Sequence, residues 1–279
     1  MWCSPTRPSP PSAAVTSEAL GVDPERDTWL ACLPLAHVGG LSVVARALLT
    51  DTPLVVHDGF DASRVQASVD AGVTLVSLVA TALARVETRR FRRVLLGGSA
   101  PPNELPDNVV TTYGLTETGS GVVYDGRPLR DVEVRVVDGE IHVRGPMLLR
   151  AYRDGTDPKD PDGWFATGDG GRLRDDGTLE VHGRLGDLVV TGGENVWPAA
   201  VEEVLGDHPS VAEVRRIGRD DPEWGQRVVA QVVPSDPGEP PDLDALRAWV
   251  RDRLSPVHAP RELDLVSRLP RTTSGKLRR

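Results

Sequence analysis

Thr111-Thr112-Tyr113-Gly114-Leu115-Thr116-Glu117-Thr118-Gly119 is the stretch of the chain whose residue types could do the most chemistry. Its glycines let the backbone turn close to a ligand. Its hydroxyls can donate to phosphate oxygens, and its one carboxylate can hold a hard divalent cation. The apolar run Asn108-Val109-Val110 just before it reads as the end of a buried strand, which would fix the stretch at a sheet edge. A polar strand-to-loop connection with no ligand is the plain alternative, and the stretch alone leaves both open. The basic residues add a second signal. The chain has 32 of them, and only Lys159 and Lys276 are lysines. Where nearly every cation is arginine, a lysine marks a candidate position for a compact ammonium in place of a planar fork.

The surrounding pattern predicts elements able to position such a stretch. Residues 1–17 hold Pro5, Pro8, Pro10 and Pro11 with serines and no glycine, a composition expected to remain a loose tail. From Trp29 onward, strands at 29–35, 53–56, 74–79 and 94–96 alternate with helices at 41–49, 62–71 and 80–88. Strand–helix alternation predicts an α/β fold with a mainly parallel sheet, whose ligands sit beyond the carboxyl ends of the strands. The turn Gly97-Gly98-Ser99-Ala100 and the turn after Thr112 would both lie at that edge. Beyond Gly126 come short strands at 132–137 and 140–144, joined by Asp138-Gly139, and another at 178–182. A small α+β unit is expected from about Gly183, with strands at 188–191, 211–217, 227–233 and 262–266 and helices at 199–205 and 242–254. In the last helix Asp242 can cap, and Leu243, Leu246, Val250 and Leu254 share one face.

Composition narrows the function classes. With 39% hydrophobic and 26% charged residues, 279 residues can bury one large core or two modest ones. A formal charge of −9 argues against nucleic acid or an anionic membrane as partner. The basic run Arg89, Arg90, Arg92 and Arg93 reads as a solvated helix end. Cys3 and Cys32 are the only cysteines, which excludes a disulfide framework and fits a cytoplasmic location. The longest near-apolar run, 73–84, is too short to span a bilayer, and no signal core follows Met1.

Three motifs accompany the Gly-Leu-Thr-Glu-Thr-Gly loop: Gly163-Trp164-Phe165-Ala166-Thr167-Gly168-Asp169, Gly183-Arg184, and Arg271-Thr272-Thr273-Ser274-Gly275-Lys276. In order, spacing and identity they resemble the adenylate-forming superfamily of acyl-CoA ligases, luciferases and peptide-synthetase adenylation domains. The likeness runs from about Trp29 to Arg279. Within it, Leu33-Pro34-Leu35-Ala36-His37-Val38-Gly39-Gly40-Leu41 and Val122-Val123-Tyr124-Asp125-Gly126 most resemble the o-succinylbenzoate:CoA ligases of menaquinone biosynthesis. The implied organisation is a loose tail at 1–17, part of a large AMP-binding N-terminal domain at 18–183, and a mobile C-terminal domain at 184–279.

The resemblance also implies roles. Tyr113 packs on adenine beside Gly98 and Gly114, Thr116 meets phosphate, and Glu117 holds Mg²⁺ as the acyl carboxylate attacks the α-phosphorus of ATP. Asp169 accepts from the ribose hydroxyls and Arg184 bonds ribose or phosphate. Read without the family, Asp169 is an ordinary turn aspartate and Lys276 a solvated chain end. With it, Lys276 bridges the acyl carboxylate and the nucleotide in the transition state. His37 lines the acyl pocket, and Gly97 and Ala100 leave room for a planar aromatic acid. Rotation of the small domain about one residue, here Gly186, brings in the 191–195 loop, whose Gly192 and Gly193 line the pantetheine tunnel. The family usually carries Asp or Lys at that hinge.

One departure stands out. Where the family has a glycine-rich phosphate loop ending in Lys, this chain has Ser4-Pro5-Thr6-Arg7-Pro8-Ser9-Pro10-Pro11-Ser12, and prolines lack the N–H donors that cradle phosphates. The family's upstream sequence is absent too, so the expectations are a fragment, a misread start or a partner that completes the chain, either a second copy in a homodimer or a completing N-terminal segment. The first reading is an ATP-, Mg²⁺- and coenzyme A-dependent acid:CoA ligase acting on a small carboxylic acid. A relative that loads a carrier protein and a non-catalytic nucleotide- or acyl-binding remnant stay open beside it.

Overall fold

The computed structural model describes residues 12–102 and 104–271. The described residues divide into two compact units, one within 12–167 with 171–181, and one of 168–170 with 182–271. The first contains α1 (Ser12–Ala19), β1 (Trp29–Ala31), α2 (Val38–Leu49), β2 (Leu54–Val56), α3 (Ala62–Asp70), β3 (Leu75–Leu78), α4 (Ala80–Leu83), β4 (Arg93–Leu96), β5 (Val109–Gly114), β6 (Gly121–Tyr124) and β7 (Arg127–Pro128). These strands form a seven-stranded sheet in the order β2-β1-β3-β4-β5-β6-β7. Neighbours from β2 to β5 are parallel, and β6 and β7 close the sheet antiparallel.

Alternate strand residues feed two cores, as the period of a pleated strand requires. Trp29, Ala31, Leu75 and Leu95 face one core with Val15 of α1 and Val43 and Ala47 of α2. Leu30, Val76, Leu78, Val94 and Leu96 face the other with Val65 of α3 and Ala82 of α4. Full burial of each valine or leucine among them is worth roughly 1.5–3 kcal/mol. Asp61 supports α3 by accepting from the Arg64 N–H at 2.8 Å as N-cap.

Several expectations are corrected. The loose tail does not extend to Ser17: α1 begins at Ser12, one residue after the last proline, and buries Ala13, Val15, Thr16 and Ser17. The helix expected at 80–88 is one short turn, Ala80–Leu83, followed by a 3₁₀ turn at Thr88–Arg90. The basic run is partly fixed, since Arg90 pairs with Asp70 and Arg92 with the buried Asp27.

A second sheet, β8 (Glu133–Val137), β9 (Glu140–Arg144), β10 (Phe165–Leu173) and β11 (Leu179–Arg184), runs in the order β11-β10-β9-β8. Asp138 and Gly139 have φ of 50° and 83°, the pair of positive values that a tight two-residue hairpin needs. β10 was not expected as a strand, because its glycines read as a turn.

The second unit contains β12 (Val189–Thr191), β13 (Glu194–Val196), α5 (Pro198–Gly206), β14 (Val211–Asp221), β15 (Gly225–Pro234), α6 (Leu243–Arg251) and β16 (Glu262–Leu265). The β14–β15 hairpin is its spine, with β12 antiparallel and β16 parallel to β15. Its own core joins Val201 and Leu205 of α5, Leu246 and Val250 of α6 and Val228, Ala230 and Val232 of β15. Asp242 caps α6 by accepting from the Ala245 N–H at 2.8 Å. No helix among the described residues is long and apolar enough to cross a membrane.

Candidate active site

The loops after β1, β4 and β5 leave the sheet at one edge, because those strands are parallel. They carry His37, the 97–100 turn and the 114–120 loop. β5 runs on to Gly114, so Thr111, Thr112 and Tyr113 belong to the strand and not to a loop. Thr112 Oγ1 donates to the Leu96 carbonyl at 3.1 Å, and a Cβ at Gly97 would lie 2.6 Å from that hydroxyl. Gly97 is therefore the residue that lets β4 end against β5. Gly98 follows with φ of 87° and is exposed, as is Ala100.

The 114–120 loop has an inner and an outer side. Thr118 is fully buried: its Oγ1 accepts from the Leu115 N–H at 2.9 Å and donates to the Ser120 carbonyl at 2.6 Å. Gly119, at φ of 69°, closes the 3₁₀ turn by donating to the Thr116 carbonyl. A Cβ at Gly114 would meet the Ser120 carbonyl at 2.3 Å, so only glycine permits this crossing. On the outer side Thr116 is exposed, while Glu117 and Tyr113 are half-buried. Thr116 and Glu117 thus stand on a rigid base with their polar ends directed outward.

Residues that the sequence did not single out support this base. Tyr152 donates its hydroxyl to Glu117 Oε1 at 3.3 Å, and the Leu149 N–H donates to the Glu117 carbonyl at 2.7 Å. Arg46 of α2 is buried, stacks at 4.8 Å over the Trp29 ring and donates from Nη2 to Ser120 Oγ at 3.2 Å. Its Nη1 finds no hydrogen-bond partner among the described residues. Burial pulls the guanidinium down from its ordinary value, against the influence of Tyr124. A buried cation beneath the loop makes the outer side favourable for an anion. Arg46 had a signal, being the one charge in an otherwise apolar helix. Tyr152 had none.

His37 is exposed at the start of α2, and its side chain makes no capping bond. A Cβ at Gly40 would lie 2.5 Å from the Leu33 carbonyl, which fixes the bend that places His37. A cavity of about 510 Å³ opens elsewhere, at the amino ends of β4 and β5, lined by Val15, Arg93, Asp107, Val110 and Arg130 among others. It lies at the opposite sheet edge; Tyr124 and Asp125 of the 122–126 motif line it, and none of the candidate catalytic, nucleotide- or acyl-binding residues does.

In the second unit, Asp169 and Arg184 come together, with Arg184 Nε 3.0 Å from Asp169 Oδ1. Asp169 is not a turn aspartate: it lies inside β10, 7% exposed. Gly170 is covered by Trp197, whose ring a Cβ would approach to 2.1 Å. Gly192 and Gly193 form the β12–β13 turn at φ of 60° and 81°, with the Gly192 N–H donating to the Trp224 carbonyl. Gly186 sits in a 3₁₀ turn, Leu185–Asp187, exposed and with open space around its missing side chain. Lys276 and the proline-rich stretch through Pro11 lie outside the described residues.

Comparison with known proteins agrees with this fold. Residues 12–153 match the AMP-binding enzyme family, and residues 200–276 match the AMP-binding enzyme C-terminal domain. The chain is 36% identical to the 2-succinylbenzoate–CoA ligase of Bacillus licheniformis, over 96% of this chain and 63% of that protein's length. It is 39% identical to a probable 2-succinylbenzoate–CoA ligase of Mycobacterium tuberculosis, over 90% of this chain and 73% of the relative. Among solved structures, the o-succinylbenzoate CoA synthetase of Bacillus subtilis, in complex with its acyl-adenylate intermediate, superposes with a TM-score of 0.87 at 32% identity. That match covers 99% of this chain and 67% of the other. The same synthetase with ATP and magnesium ion gives 0.86. A chain with this fold, this loop and these matches belongs to the AMP-binding enzyme family.

Proposed function

We propose that the chain is an ATP-dependent acid:CoA ligase of menaquinone biosynthesis that works through an acyl-adenylate, with 2-succinylbenzoate as its acid. The observation that carries this is the outward-facing Thr116–Glu117 pair on a base held rigid by Thr118, Gly119 and Arg46, in a chain related over most of its length to ligases of that acid.

In the first half-reaction an acid oxygen bonds to the α-phosphorus of ATP, the α–β phosphate bond breaks, and pyrophosphate leaves. Tyr113, Gly98 and Gly114 accept the adenine, and Thr116 donates to phosphate. Among the described residues no three His, Cys, Asp or Glu side chains cluster as a metal cage. One half-buried carboxylate, Glu117, suits Mg²⁺, which keeps its waters and binds through few carboxylates together with phosphate oxygens. When bound, that ion neutralises phosphate charge during the displacement. Asp169 accepts from the ribose hydroxyls; a carboxylate has lone pairs enough to keep Arg184 as well. His37, Gly97 and Ala100 border the acid, and Lys276 stabilises the growing charge.

In the second half-reaction the CoA thiol attacks the acyl carbon, a C–S bond forms, the acyl C–O bond to the phosphate breaks, AMP leaves and the thiol proton passes to solvent. Gly192 and Gly193 line the thiol's approach, and Gly186 is the hinge. The test is exchange of labelled pyrophosphate into ATP with Mg²⁺ and 2-succinylbenzoate, followed by addition of CoA. Acid-dependent exchange and a CoA thioester are expected. Nucleotide binding without exchange would overturn the ligase reading in favour of a binding protein.

A further inference from the structure

Residues 149–159 form a loop whose contacts converge on Glu117. At its start the Leu149 N–H donates to the Glu117 carbonyl at 2.7 Å. Lys159 closes it: Nζ donates to the Leu149 carbonyl at 2.7 Å, to the Arg150 carbonyl at 3.0 Å and to Asp157 Oδ1 at 2.7 Å. An ammonium has three donors, and here all three are used, a geometry the planar fork of arginine does not reproduce. Between these ends the Tyr152 N–H donates to the Thr156 carbonyl and the Gly155 N–H to the Tyr152 carbonyl, so Tyr152 stands on a small closed turn. Its hydroxyl meets Glu117 Oε1. Beyond Lys159 the chain is anchored to the β8–β9 hairpin: Arg135 pairs with Asp160 at 3.3 Å, and the Arg135 and Arg144 guanidiniums lie over the Trp164 ring at 4.2 and 4.7 Å.

We infer that Tyr152 is a positioning residue for the Glu117 carboxylate, and that Lys159, by cinching the 149–159 loop, holds Tyr152 in place. This rests on the reading of Glu117 as the carboxylate that holds the nucleotide's metal ion. A carboxylate on a solvent-facing loop has several rotamers, and a hydrogen bond to one oxygen selects among them before the ion arrives. Groups behind a metal ligand commonly contribute about ten- to a hundredfold to metal affinity, and a single long, partly exposed bond belongs at or below the low end. The chain's other lysine thereby has its own place in the first unit, as a clamp on backbone carbonyls.

The test measures Mn²⁺ binding to the chain in the presence of ATP, by the loss of the free-ion electron paramagnetic resonance signal beyond that caused by the same ATP without protein, and ATP binding in EDTA by calorimetry. Tyr152→Phe and Lys159→Met are each expected to weaken Mn²⁺ binding by about three- to tenfold, with metal-free ATP affinity within about twofold of wild type. The double variant is expected to be no weaker than the weaker single one, because both act through one linkage. Unchanged Mn²⁺ affinity in Tyr152→Phe would overturn the inference. So would an equal loss of ATP affinity with and without metal, which marks general damage to the loop. If Lys159→Met does not fold, Tyr152→Phe alone decides. A wild-type chain that binds ATP but no Mn²⁺ would instead defeat the reading of Glu117, and the inference with it.

Discussion

Thr116 and Thr118 stand two positions apart in one loop and do opposite work. Thr118 is fully buried and ties Leu115 to Ser120, whereas Thr116 is exposed on the side where phosphate is proposed to bind. Thr118→Val keeps the shape and removes the hydroxyl, leaving the Leu115 N–H without its partner inside the protein. A buried donor left unpaired costs about 1–3 kcal/mol. Urea unfolding of Thr118→Val should show that loss together with loss of pyrophosphate exchange, while Thr116→Ala should unfold within about 0.5 kcal/mol of wild type and still lose exchange. Equal stability losses in the two would contradict the division between an inner and an outer side. Sequence could not separate these threonines, since identical side chains in a polar loop differ only in which way the backbone turns them.

Asp27 does comparable work between elements. Its carboxylate accepts from Thr74 Oγ1 at 2.7 Å, from Arg92 Nε at 2.7 Å and Nη2 at 2.5 Å, and from the Asp23 N–H at 2.9 Å, so it ties the amino ends of β1, β3 and β4. Burial alone would push this carboxyl up; the bonds from Arg92, Asp23 and Thr74, with the Arg92 charge, outweigh it and hold it below its ordinary value. The folded chain then binds this proton less readily than the unfolded chain. The stabilisation is complete above the ordinary carboxylate range and is lost as pH falls through the lowered folded value. Asp27→Asn should lower the urea midpoint at neutral pH and flatten its decline in acid; an unchanged acid limb would remove Asp27 from the account. The strand–helix alternation of this sheet was legible because β1, β3 and β4 are short apolar runs between turn residues. β10 was not, because Gly168-Asp169-Gly170 reads as a turn until Trp197 and the Glu180 carbonyl are seen to occupy the space that side chains at Gly170 and Gly171 would need. α1 was hidden in the same way by the prolines that precede it. The candidate site was legible in its outward residues, which carry motif chemistry. It was not legible in Tyr152, Lys159 and Arg46, whose contribution depends on contacts across 35 to 74 positions or on backbone carbonyls.

At the scale of the whole molecule, the proposed reaction has two half-reactions with different needs, and each unit has its own core. Gly186 tests whether the chain changes conformation between them. Its φ is not positive, its Cβ position is open, and it lies in a short 3₁₀ turn, so no steric rule demands glycine there. Replacing such a glycine narrows the unfolded ensemble and typically stabilises by about 0.4–1 kcal/mol. Gly186→Ala should therefore melt at or slightly above the wild-type temperature. If this position is the hinge, the same substitution restricts the torsions available during rotation, and Gly186→Pro restricts them further. Pyrophosphate exchange should then remain near wild type in both variants, while thioester formation from preformed acyl-adenylate and CoA falls, more in Gly186→Pro than in Gly186→Ala. Parallel loss of both half-reactions would mean that the residue supports one shared conformation. Equal retention of both would place the pivot elsewhere in the 183–188 segment, where Gly183, with φ of 136°, is the next residue to change.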